Sequence, residues 1–260
     1  MEQDILHSKI YGQDKTGTPL LVFHGLFGML DNWGSFGREF GELMPVHLID
    51  LRNHGKSFQS EEMTIEAMVN DIQAYMDHYG LDKVNLLGHS LGGKVVMQYA
   101  ITYPEKVEKL IVADMSPKVY PPHHQGIFKA LNTVNLSQVT NRQEVEAELK
   151  KYISEIGVIQ FLLKNLYWTE DKKLNWRFNL PVLTDKYTTF VTSAIKFGVY
   201  NGPVLFLAGA NSNYILPQDR FLIRQQFPNS EIKKIPNAGH WVQAENPKDF
   251  NAEVKEFLTQ

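Results

Sequence analysis

Ser90 stands at the centre of the run Gly88-His89-Ser90-Leu91-Gly92. The run joins an apolar stretch, "VNLLGHS" (84–90), to a helix-like one, "LGGKVVMQYAITYP" (91–104). Glycine two residues to either side lets a chain turn sharply from strand to helix without a Cβ clash. The hydroxyl of such a serine is lifted clear of the sheet. The N–H of Leu91, in the first turn of the helix, has no intrahelical acceptor and can face a developing oxyanion. A nucleophilic serine needs a base, and the base needs something to orient it. Only His123, His124 and His240 follow Ser90. His240, in "NAGHW", comes just after the last strand-like run, where a loop can reach back over the strand ends, and is the expected base. His123 and His124 follow "YPP" and read as surface or packing residues. "VFHGLFG" is a second glycine turn after a strand. There the Leu26 N–H is the expected second oxyanion donor, with Phe27 beside it, and His24 would tie the turn down. His89 reads as a structural neighbour of the nucleophile and also, with Phe27 and Trp241, as a candidate substrate contact.

A competing motif overlaps this one. Gly88-x-x-x-x-Gly93-Lys94 is most of a phosphate-binding loop, and "LIVAD", ending at Asp114, would be its acidic strand. Such a loop needs a serine or threonine hydroxyl for magnesium directly after the lysine. Val95 stands there, so nucleotide binding is set aside. The bland alternative is a tight glycine turn without chemistry.

These residues need a scaffold, and the rest of the chain supplies the signals for one. "LLVFHG" (20–25), "VHLIDLR" (46–52), "VNLLGHS" (84–90), "KLIVADM" (109–115) and "PVLFLAG" (203–209) read as buried strands. Between them lie helix patterns, such as 64–80, with Thr64 as N-cap, apolar residues on one face and Gly80 as a stop. Strand and helix in alternation predict an α/β fold with a mostly parallel sheet flanked by helices, and its chemistry at the carboxyl ends of the strands. The rhythm breaks between about 115 and 202, where the texture turns helical and aromatic. The division expected is a core of residues 1–115 and 203–260 and a helical cap of residues 116–202. Composition is that of an ordinary globular protein: 260 residues, 43% hydrophobic, formal net charge −3, no cysteine. That balance points away from nucleic acid, and the lack of cysteine excludes disulfides and thiolate metal sites. No apolar run reaches the ~18 residues of a membrane span. The opening Met-Glu-Gln-Asp lacks a signal-peptide pattern, so a cytoplasmic location is expected.

"HGLFG", "DLRNHGKS", "GHSLGGK", "ADMSP", "VIQFLLKN", "WRFNLPVL" and "AGHWVQAENP" together resemble the YbfF-type esterases of the α/β-hydrolase superfamily, over nearly the whole chain. The resemblance implies an α/β-hydrolase fold with a cap inserted after the strand that family counts as sixth. It implies hydrolysis of carboxylic esters, with acyl-CoA thioesters among the substrate types, and neither metal nor cofactor. The family's serine, its aspartate after strand six and its late histidine fall on Ser90, Asp114 and His240, and a serine matching Ser212 is grouped with them.

The acid is where the residues leave a choice. Many α/β-hydrolases carry it as Gly-x-x-Asp after the next strand, but here the loop reads Gly209-Ala210-Asn211-Ser212. A neutral hydroxyl can hydrogen-bond but cannot offset imidazolium charge. Asp114 ends the neighbouring strand and can reach the same histidine, whereas Asp219 stands at a helix start where capping explains it. Asp114 is favoured, with Ser212 holding the Asp114–His240 pair. Asp50, Arg52, His54 and Ser57 are expected to organise a strand-end loop, Lys94 to sit near the pocket rim, and Arg177 to make an exposed ion pair or meet a charged substrate head. Of the cap aromatics, Phe128, Phe161, Trp168 and Tyr187 are expected mostly in the core. The expected function is a serine hydrolase acting on small-molecule esters or thioesters of small to medium acyl chains. A cofactor-free perhydrolase, an aminopeptidase or carbon–carbon bond hydrolase, and an idle binding scaffold are the alternatives. Hydrolases of this fold with an aspartate nucleophile are excluded by Ser90.

Overall fold

The structure is a computed structural model and describes residues 4–260. Strands follow in chain order as β1 (Ser8–Tyr11), β2 (Leu20–Phe23), β3 (Val46–Ile49), β4 (Val84–His89), β5 (Val107–Ala113), β6 (Leu166–Trp168), β7 (Leu174–Trp176), β8 (Val204–Gly209) and β9 (Ser230–Ile235). Seven form one sheet in the order β1-β3-β2-β4-β5-β8-β9. All its pairings are parallel except β1 with β3. The apolar runs explain this. Every residue of β2, β3, β4 and β8 is buried, as strands covered on both faces by helices must be.

Alternate residues feed two cores. Leu21, Phe23, Leu86 and Val112 pack on one face with Ile72, Val96 and Phe227. Leu20, Val22, Leu87 and Ile111 pack on the other with Trp33, Phe36, Phe250 and Val254. The first face is covered by α2 (Ile65–Tyr79), α3 (Leu91–Thr102) and α8 (Asp219–Gln226), the second by α1 (Gly34–Phe40) and α9 (Pro247–Thr259). The predicted ends of α2 are those observed: the Thr64 side chain accepts from the Ala67 N–H, and Gly80 closes the helix in the left-handed region at φ 63°. No helix among the described residues is long and apolar enough to cross a membrane.

Register brings the site loops to one edge. His89 pairs with Ala113, and Ala113 with Leu207. The turns after β4, β5 and β8 therefore emerge side by side, and the loop after β9 adds His240.

Between β5 and β8 lie α4 (Gln125–Thr133), α5 (Arg142–Leu149), α6 (Ile156–Leu163), the antiparallel pair β6–β7, and α7 (Leu180–Tyr187). The segment is less uniformly helical than its texture predicts. Three-residue strands around the "TEDKK" turn are too short to show an alternating pattern. After a one-turn π-helix at Thr188–Thr192 the chain runs back to the sheet without helix. Lys94 explains that release. Its ammonium donates to the carbonyl oxygens of Val191 and of Ser193 (2.6 Å), satisfying groups a continuing helix would have used. Lys94 is therefore 1% exposed, under the returning segment and not at a rim, and burial pulls its ammonium down to about 8.

Candidate active site

Ser90 follows β4 directly and adopts φ 52°, a conformation that costs a non-glycine residue on the order of 1–2 kcal/mol. The glycines around it are required by contact. A Cβ on Gly88 would lie 2.3 Å from the Gly92 carbonyl oxygen, and one on Gly92 would lie 2.5 Å from that of Phe23. Asp114, also at positive φ (47°), follows β5 and is fully buried.

The four polar groups meet. His240 Nε2 lies 2.9 Å from Ser90 Oγ, and His240 Nδ1 lies 2.8 Å from Asp114 Oδ2. Ser212 Oγ donates to that same Asp114 oxygen, and the Gly209 N–H donates to Oδ1 (3.0 Å). Burial pushes the Asp114 carboxyl up from its ordinary value, against the hydrogen bonds from Ser212 and Gly209, which pull it down. Burial likewise holds the His240 imidazolium below the ordinary histidine range, so the neutral imidazole is the resting form at neutral pH. Asp219 is engaged elsewhere, with Lys118 and the Leu216 N–H (2.8 Å).

The turn after β2 faces Ser90. The Gly28 N–H donates to the Gly25 carbonyl (2.9 Å), which makes Leu26 and Phe27 the two central residues of a tight turn. Neither the Leu26 N–H nor the Leu91 N–H has an acceptor among the described residues. His24 braces the turn: Nδ1–H donates to Gly25 O (2.8 Å) and Nε2 accepts from the Leu51 N–H (3.1 Å). Asp50 ties the same region through the N–H groups of Leu30 (2.7 Å) and Lys56 (2.9 Å). Buried Arg52 is paired with Asp71 (2.6 Å). These are the loop-organising contacts expected of "DLRNHGKS".

Residues 18–151 match the α/β-hydrolase fold family. The chain is 37% identical to Esterase YbfF of Escherichia coli, with 93% of each chain covered. It belongs to the YbfF-type family of α/β-hydrolases. The sn-1-specific diacylglycerol lipase ABHD11 of Mus musculus is also 37% identical, over 92% of this chain and 81% of its own. A solved structure described as a marine microorganism esterase superposes with a TM-score of 0.94 at 36% identity, covering 98% of this chain and all of its own.

In this YbfF-type chain a cavity of about 430 Å³ opens over Ser90 and His240. Core residues Leu26, Phe27, His89 and Trp241 line it together with His123, His124, Ile127, Val158 and Phe161 from the inserted segment. All three expected contacts, Phe27, His89 and Trp241, thus reach the cavity. His89 is also structural, since its Nε2–H donates to the His240 carbonyl (2.8 Å). His123 and His124 line the cavity wall, His123 exposed at its mouth and His124 half-buried. Phe128 and Tyr187 are buried, whereas Trp168 is 56% exposed. Arg177 lies over the Tyr167 ring at 4.8 Å.

Tyr214 is the residue the sequence did not single out. Its ring stacks on His240 at 3.6 Å between centroids, its hydroxyl meets His123 Nε2, and its N–H donates to Ser212 Oγ (3.2 Å). Its place two residues beyond Ser212 was the available signal. Among the described residues, no three His, Asp or Glu side chains cluster to hold a metal ion.

Proposed function

We propose that this chain hydrolyses carboxylic esters through an acyl-enzyme on Ser90. One observation carries the reading: the hydrogen-bonded series Ser90–His240–Asp114 at the floor of a largely apolar cavity. The series links a nucleophile, a base held neutral and a carboxylate that orients it. The esterase and lipase names of the relatives support the same reaction class.

Ser90 Oγ attacks the acyl carbon as His240 Nε2 takes its proton. The Leu26 and Leu91 N–H groups receive the oxyanion. Asp114 keeps the proton on Nδ1 and stabilises the imidazolium, and Ser212 holds the carboxylate in place. The intermediate collapses as His240 protonates the departing alcohol or thiol. Water, deprotonated by His240, then attacks the acyl carbon and releases the acid and Ser90. Phe27, His89 and Trp241 contact the substrate. Residues 116–202 serve as a cap over a core of 1–115 and 203–260, and the cavity suits small to medium acyl groups, thioesters among them. The site of action is the cytoplasm.

A fluorophosphonate probe followed by peptide mass analysis tests the nucleophile, and a panel of p-nitrophenyl esters alongside acyl-CoA thioesters tests the substrate class. The expected result is label on Ser90 and turnover of short and medium esters. Absence of both label and turnover would sink the reading.

A further inference from the structure

The turn that carries Leu26 is strained, and the groups that hold it belong to the inserted segment. Phe27 sits at the third position of the Gly25–Gly28 turn with φ 59°, where glycine is the usual residue. A phenylalanine persists there only if its surroundings over-determine it. Three groups do so. The Phe27 ring lies 5.1 Å from the rings of both Phe128 and Phe178. The Phe27 carbonyl accepts a 2.8 Å hydrogen bond from Asn165 Nδ2.

Asn165 is an expensive way to fill that space. It is 1% exposed, and its Oδ1 has no partner among the described residues. An amide buried with an unsatisfied acceptor costs stability that an apolar side chain would not. Its orientation is fixed, because a carbonyl can accept only from the NH₂ end. The backbone of Asn165 is itself clamped: its N–H donates to Leu162 O (3.0 Å) and its carbonyl accepts from the Arg177 N–H (2.9 Å). The donor is thus held at the junction of α6 and β6, with a long contact to Leu162 O (3.4 Å) and its short hydrogen bond to the Phe27 oxygen, one residue from the Leu26 N–H.

We propose that Asn165 is a positioning residue of the oxyanion hole. It holds the Phe27 peptide in its left-handed state, so that the Leu26 N–H points at the reacting carbonyl only while the inserted segment is seated. Docking of that segment and catalytic competence are then one event. The inference rests on the hydrolytic reading above and adds a residue that touches neither substrate nor Ser90.

The test compares wild type, Asn165→Leu and Asn165→Asp on a p-nitrophenyl ester. Rates are expressed per site titrated to completion with a fluorophosphonate, so that loss of folded protein does not count as loss of rate. Asn165→Leu keeps the approximate bulk without the donor, and Asn165→Asp puts an acceptor against the carbonyl. Displacing an oxyanion donor should lower kcat roughly tenfold to a hundredfold in either variant, with KM within about twofold because ground-state binding is untouched. The affinity of a trifluoromethyl ketone should fall by the same factor as kcat/KM. A kcat per titrated site equal to wild type in whichever variant folds overturns the inference. The hydrolytic reading fails separately, if wild type itself neither turns over nor takes the label.

Discussion

Asp114 carries two opposed influences. Burial favours its neutral form, while the hydrogen bonds from Ser212 and Gly209 favour the carboxylate. Asp114 and His240 are close enough to titrate as a pair. In the proposed reaction the imidazole must be neutral to accept the Ser90 proton, and burial lowers the pH at which it charges. Activity should therefore be lost on the acid side only below the ordinary histidine value near 6.5. Removing the Ser212 hydroxyl takes away a bond that favours the Asp114 carboxylate and so raises the pH at which the pair takes up its proton; Ser212→Ala should move the acid limb of kcat/KM upward in pH. Asp114→Asn should lower kcat by about 10⁴, since the imidazole is then held in the wrong tautomer. A pH–rate profile of the two variants checks both, and an unmoved limb in Ser212→Ala would make that hydroxyl structural only.

At the scale of elements, the buried strands and α2 were legible because their signals are local. β4 ends in a glycine-flanked serine, and α2 is bounded by Thr64 and Gly80. Ser90 and His240 could be read from motif and chain order. The meeting of Asp114 with Ser212 depends on β5 and β8 being neighbours, which required the family resemblance or the sheet. Other features had no local signal. The stacking of Tyr214 on His240 and the turn of His123 toward the cavity are products of loop packing. The stretch after Thr192 has a helical texture in sequence yet runs without helix, because a buried lysine on α3, distant in sequence, takes the carbonyls of Val191 and Ser193. Lys94→Met should loosen that return. Limited proteolysis is expected to cut within 188–200 in the variant well before wild type, and identical digestion patterns would show that Lys94 does not anchor the segment.

Across the whole molecule the buried histidines set the response to acid. Burial lowers His24 and His47 to about 4, and His54 and His89 to about 3. A depressed folded-state value means that the unfolded chain binds these protons first. Stability is therefore fully present above about 6.5 and is lost as pH falls toward 4, by up to about 1.4 kcal/mol per pH unit for each group. The raised carboxyls of Asp50, Asp71 and Asp114 act in the opposite sense, since a folded state that keeps its proton gains as pH falls. The His47–Tyr75 hydrogen bond (2.8 Å) and the His24 brace hold the neutral rings in place. Thermal melts in matched buffers should show Tm level between pH 7 and 8 and falling steeply below 6. A Tm unchanged down to pH 4.5 would show that these imidazoles are not buried neutral.

The inserted segment and the sheet meet over a single hydroxyl. Ser90→Ala removes that oxygen and leaves the His240–Asp114 pair, the turn after β2 and the cavity in place. The most direct measurement is kcat/KM of the purified Ser90→Ala protein on a p-nitrophenyl ester that wild type hydrolyses. A nucleophilic Ser90 entails a loss on the order of 10⁴ to 10⁶, the remaining rate being carried by binding and the oxyanion donors alone. A variant that keeps a tenth of the wild-type rate would contradict it.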